Sequence, residues 1–123
     1  MDWEIAQNKI LNKITKGTSL DNKSMFRKVI EIHQPKTSPL NYDDYIFKVN
    51  VGKNKNCNIS ISMLKKLYLA SRKNRNIYNR DVFKLHYPTI AKNTGCYIHV
   101  IGKIFEISSI CTKKENNYFI QSI

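Results

Sequence analysis

Residues 95–108 read GCYIHVIGKIFEIS, and whether they form a strand or a helix decides the architecture of the C-terminal half. Their β-branched residues suit a pleated surface. On a helix, Tyr97, Val100, Ile101, Ile104 and Phe105 form one stripe, and Cys96, His99, Lys103 and Glu106 form the other face. Alternation instead sets His99 and Lys103 beside Tyr97, Ile101 and Phe105. Gly102 counts against the helix by about 1 kcal/mol relative to Ala. The cleaner separation of polar from apolar favours a helix over 96–108, with a strand as the alternative.

The flanking segments extend this reading. Upstream, Ser60 or Ser62 caps a helix predicted over 61–71, in which Ile61, Leu64 and Tyr68 share a face and Lys65 and Lys66 project outward. The next tract, SRKNRNIYNRD at 71–81, reads as a basic loop. Asn79 then caps a helix RDVFKLHY at 80–87, with Asp81 favourably placed in its first turn. Pro88 ends that helix or restarts the chain. Downstream, ISSICTKK and NYFIQSI read as two short strands around Glu115-Asn116, with Lys113 and Lys114 at the tip.

In the N-terminal half, WEIAQNKILNKITK at 3–16 reads as a helix with Trp3, Ala6, Ile10 and Ile14 on one stripe and Gly17 as its C-cap. MFRKVIEI at 25–32 reads as a strand of imperfect alternation, and HQPKTSPLN at 33–41 as a loop. DYIFKVNV at 44–51 alternates well, with Tyr45, Phe47, Val49 and Val51 on one side and Ile46, Lys48 and Asn50 on the other. GKNKNCN follows as a basic turn leading to a short strand at 58–61. A chain of 123 residues leaves room for one core. The expectation is a single α+β domain over 1–123: an N-terminal helix, a small antiparallel sheet of two to three strands, and a C-terminal helical unit with a hairpin.

The order over 61–123, helices followed by a basic-tipped hairpin, resembles a winged helix-turn-helix. The resemblance implies that the last helix enters the DNA major groove and that the hairpin, the wing, touches backbone or minor groove. It places Thr94, His99 and Lys103 on the groove-facing helix and Lys113 and Lys114 on the wing. This chain departs from efficient base reading, because that helix carries one Lys, no Arg and no Asn after its start, whereas direct readout favours Arg, Lys, Asn and Gln.

Charge points the same way by an independent route. The sequence holds 21 Lys and Arg against 9 Asp and Glu, a formal charge of +12. From Tyr45 to Phe105 there are twelve Lys or Arg and one acid, Asp81. A basic tract inside a folded domain repels itself, and an anionic partner relieves that repulsion. Nucleic acid is the commonest such partner. Phosphate contacts are expected first from Arg72, Lys73, Arg75 and Arg80, and then from Lys53 and Lys55. Lys65, Lys66, His99, Lys103, Lys113 and Lys114 surround them, and Tyr78 is placed to stack on an unpaired base.

Other chemistries find weaker footing. Cys96-x-x-His99 has ligand-like spacing, and Cys57 and Cys111 complete a Cys3His set on paper. Asp43 and Asp44 precede the strand carrying Lys48, which suits a metal-dependent nuclease, yet no third spaced acid accompanies them. There is no Gly-rich phosphate loop. No catalytic residue, metal ligand or cofactor is assigned. Three cysteines cannot all pair, which points to a reduced, cytoplasmic setting. Met1-Asp2-Trp3-Glu4 begins acidic without an apolar run, and no stretch approaches the roughly 20 apolar residues that span a bilayer. The expected function is non-enzymatic binding of DNA through phosphates, as a regulator or accessory factor in a bacterial, phage or mobile-element setting. RNA as the target and homodimerisation remain open. The alternatives are the nuclease and a module or inhibitor that meets an acidic protein.

Overall fold

The stretch forms a helix over Cys96–Ile107, and its apolar stripe is part of the buried core. The computed structural model describes residues 2–20, 27–34, 45–52 and 55–121. Its elements run α1 (Trp3–Lys13), β1 (Lys28–His33), β2 (Ile46–Gly52), β3 (Lys55–Ser60), α2 (Ile61–Lys73), β4 (Ile77–Tyr78), α3 (Arg80–His86), α4 (Pro88–Asn93), α5 (Cys96–Ile107), β5 (Cys111–Lys114) and β6 (Asn117–Ile120). The fold is α+β, with one antiparallel sheet in the order β1-β2-β3 and a second in the order β4-β6-β5. The helical period prevails in α5 because it buries Ile98, Val100, Ile101, Gly102, Ile104 and Phe105 together. Each fully buried Ile or Phe contributes about 1.5–3 kcal/mol relative to exposure. That outweighs the glycine penalty.

The first sheet explains the imperfect alternation of its first strand. The β1–β2 register slips between Val29 and Glu31, so Ile30 is the extra residue of a bulge. Val29 and Ile32 therefore both turn inward while Ile30 lies exposed. Phe47, Val49, Cys57 and Ile59 complete the buried face. Helix α1 stops at Lys13, short of the expected 16. Ile14 leaves the helix in extended conformation with its side chain still buried. Gly17 is not a helix cap: at φ 93 it turns the chain so that its N–H donates to the Val29 carbonyl at 2.7 Å.

Two sequence-predicted caps hold. Ser60 Oγ accepts from the Met63 N–H at 3.1 Å and Asn79 Oδ1 from the Val82 N–H at 3.2 Å. Pro88 restarts the chain as the first residue of α4. Thr94 is the C-cap of α4 and lies outside α5, contrary to its expected place on that helix. The strand unforeseen from sequence is β4, whose two residues pair with β6 and tie the hairpin to the helices.

Candidate nucleic-acid interface

The tract 71–81 is a series of short ordered pieces, not one long loop. Arg72 and Lys73 close the last turn of α2, where cations favour the helix C-terminus. Arg75 and Asn76 follow with φ of 58° and 61°. The Ile77 N–H donates to the Asn74 carbonyl at 3.0 Å, and Asn74 Nδ2 to the Ile77 carbonyl at 3.0 Å. Two positive φ values inside such a closed turn are the signature of a primed turn. Arg75 therefore stands at the tip of a braced corner, exposed like Arg72, Lys73 and Arg80.

Tyr78 does not join those cations. It is fully buried, its hydroxyl donates to the Ile98 carbonyl at 2.8 Å, and its ring meets Phe105 edge-on at 5.6 Å. Burial holds its phenol well above the ordinary range. The expected base-stacking role is corrected: β4 alternates, sending Tyr78 inward, and the core uses it.

On the hairpin, Lys113 and Lys114 are exposed on β5 beside the two-residue turn Glu115-Asn116. The Lys113 ammonium lies 5.7 Å from the centre of the Tyr118 ring, which steadies its stem. Between the hairpin, the start of α3 and the start of α5 opens a cleft lined by Asn79, Arg80, Asp81, Ile98, His99, Asn116, Asn117 and Tyr118. Asn79 Nδ2 donates to Asn117 Oδ1 at 3.1 Å across it. The His99 imidazole is held below its ordinary pKa, first by partial burial and then by the positive charges of Arg27, Lys113 and Arg80. Three cations contributed by separate parts of the chain thus act on one exposed imidazole.

This convergence was only partly legible in sequence. Arg80, His99 and Lys113 were named there. The sequence reading places Arg27 and Asn117 in strands and Asn116 in a turn, with no site role for any of them. No protein family, curated protein or solved structure matches this chain. The reading therefore rests on its own residues.

The remaining expected contacts divide. Lys55 is exposed at the start of β3, and Lys53 lies outside the described residues. On α2, Lys66 is exposed and spans the Tyr87 ring at 5.0 Å, while Lys65 is half-buried. Lys103 is committed to Glu106 at 2.8 Å, one turn along α5. Helix α5 is a core element that exposes a narrow strip around His99. Of its polar residues His99 is exposed, and Lys103 and Glu106 are half-buried.

Among the described residues, no three of His, Cys, Asp and Glu gather where a metal ion fits. Cys57 lies beside Cys96, and burial pushes its thiol up to about 12; burial pushes Cys111 up to about 12 as well. Both are protonated near neutral pH, which leaves little nucleophilic thiolate. Asp43 and Asp44 lie outside the described residues. Among those residues no helix is long and apolar enough to cross a membrane.

Proposed function

We propose that this protein binds nucleic acid, with DNA as the first target, through phosphate contacts from cations on the wing-like hairpin, the start of α3 and the corner at 72–75. The observation that carries the reading is the convergence of Arg27, Arg80 and Lys113 on His99 at an open cleft. Asp81 is the one acid lining that cleft, and a phosphate backbone relieves the repulsion among the cations that outnumber it. The order of helices followed by a basic hairpin supports a winged-helix-like arrangement, with β4 bracing the hairpin. In this chain the wing and the corner, rather than α5, make the contacts.

Fluorescence anisotropy of a labelled duplex across a salt series tests the reading. Affinity falls steeply with salt as bound cations release counterions. Replacing Arg72, Lys73 and Arg75 together with Ala lowers the slope by roughly 2 to 3, since each lost phosphate contact removes about 0.9. An unchanged slope removes that corner from the interface.

A second reading has its own observation. Leu85 is 78% exposed and Leu69 44% exposed, on a groove shared with Lys66, Lys73 and His86 between α2 and α3. Apolar surface framed by cations suits an acidic protein partner. Failure to bind duplex, single-stranded DNA or structured RNA at low salt favours this reading over the first.

A further inference from the structure

The cleft at the hairpin is more enclosed than phosphate contact requires, since a flat cationic surface suffices for that. Its volume is about 360 Å³. That lies within the range of small-ligand sites, roughly 300–1,000 Å³. Its polar groups are mixed in kind. Asn79 accepts from the Val82 N–H and donates to Asn117 Oδ1, and the Asn117 amide lines the cleft. Asn116 is exposed at the hairpin turn, Arg80 brings positive charge, and the His99 imidazole, held below its ordinary pKa, offers one ring N–H donor and one ring nitrogen acceptor. Asp81 lines the same space and offers only acceptors.

A bare phosphate gains from Arg80 but meets Asp81 as a like charge. A nucleobase edge presents donors and acceptors together, which amide and carboxylate side chains pair with. Sequence-tolerant partners with unpaired bases display those edges freely, whereas a closed duplex keeps them in its grooves. Ile98 and Tyr118 supply the apolar backing.

Building on the nucleic-acid reading above, we propose that this cleft seats one unpaired nucleotide of a bound strand, its phosphate toward Arg80 and His99 and its base edge toward Asn116, Asn117 and Asp81. The protein then favours ends, gaps or junctions that carry a free nucleotide over uninterrupted duplex.

The experiment compares a blunt duplex with the same duplex carrying one unpaired 3′ nucleotide, each of the four bases in turn, at one salt concentration. At least one overhang binds about tenfold tighter than the blunt end, the size of one well-made base contact. Arg80→Gln and Asn117→Ala bring that ratio to about one, whereas Arg75→Gln, at the corner, lowers both affinities and keeps the ratio. Because Asn117→Ala also removes the bond to Asn79, deoxynucleoside monophosphates are titrated into the wild-type protein and the His99 ring signals followed by NMR. Equal affinity for blunt and overhanging ends overturns the nucleotide seat and leaves the phosphate-contact reading intact. If neither duplex binds, the phosphate-contact reading falls, and the His99 signals decide the cleft: a saturable shift supports it and a silent ring overturns it.

Discussion

Gly102 and Tyr118 are fitted to one another: a Cβ added at Gly102 would clash with the outer end of the Tyr118 ring. The glycine that weakens α5 by propensity is therefore the point where the hairpin lies flush on that helix. Tyr118 also packs on Tyr78 at 5.7 Å and carries Lys113 above its ring. One close approach thereby sets the position of both the hairpin and the cleft.

Gly102→Ala accordingly destabilises the protein although Ala is the better helix former. Propensity gains about 1 kcal/mol, while forcing a methyl group into a packed core costs about 1–3 kcal/mol. The obstructing ring of Tyr118 is itself packed against Tyr78, so the upper part of that range applies and the net loss is about 1–2 kcal/mol. Chemical denaturation measures it. Combining Gly102→Ala with Tyr118→Leu recovers part of the loss, and the coupling in that double-mutant cycle exceeds about 0.5 kcal/mol. Additive effects would show that the two residues do not meet.

The Tyr78 hydroxyl gives a second test, one that separates core from interface. Tyr78→Phe keeps the ring among Phe105 and Tyr118 and deletes the donor to the Ile98 carbonyl. The loss is about 1 kcal/mol, as for a typical buried hydrogen bond. Affinity for DNA at fixed salt stays unchanged, because the ring faces the core. Reduced affinity with unaltered stability would return Tyr78 to the interface.

These two residues also mark how far sequence reasoning reached. The stripe of α5, the caps at Ser60 and Asn79, the inward face of β2 and the basic hairpin follow from local periodicity and capping chemistry, and all lie in the structure. Gly102 and β4 do not, because their partners, Tyr118 and β6, come from a distant part of the chain. The bulge at Ile30 disguised β1 for a related reason: an inserted residue breaks the two-residue period that identifies strands. At the candidate site, the cations were visible as residue types. Their meeting around His99 depends on tertiary packing, which is why Arg27 and the Asn79–Asn117 pair went unread.

The cysteines differ in environment, and that difference is measurable. Cys57 and Cys111 are buried, with thiols pushed up to about 12, whereas Cys96 is half-buried at the start of α5. The thiolate is the reactive form, so reactivity follows both ionisation and access. At pH 8 an aromatic disulfide reagent modifies one thiol of the native protein, Cys96, and all three after denaturant is added. Cys96→Ser abolishes the native reaction. Rapid native modification of Cys57 or Cys111 would contradict their burial.

His99 couples pH to folding and to binding in opposite directions. Its native pKa lies below the ordinary 6.5, so the unfolded chain takes up this proton more readily than the native one. Native stability therefore falls as pH drops from above 6.5 through the lowered native value. Arg27, Arg80 and Lys113 oppose protonation, while Asp81 across the cleft and Glu106, paired with Lys103 on the same helix, are the nearby acids. A bound phosphate adds negative charge beside the imidazole and raises its pKa, so affinity for DNA rises over the same fall in pH. As pH falls from about 7.5 to about 5.5, the window in which an imidazole titrates, thermal unfolding shows lower stability and anisotropy shows tighter binding. His99→Gln flattens both responses while retaining a polar side chain in the cleft. Affinity that stays level, or that keeps rising in the variant, would place His99 away from the bound phosphate.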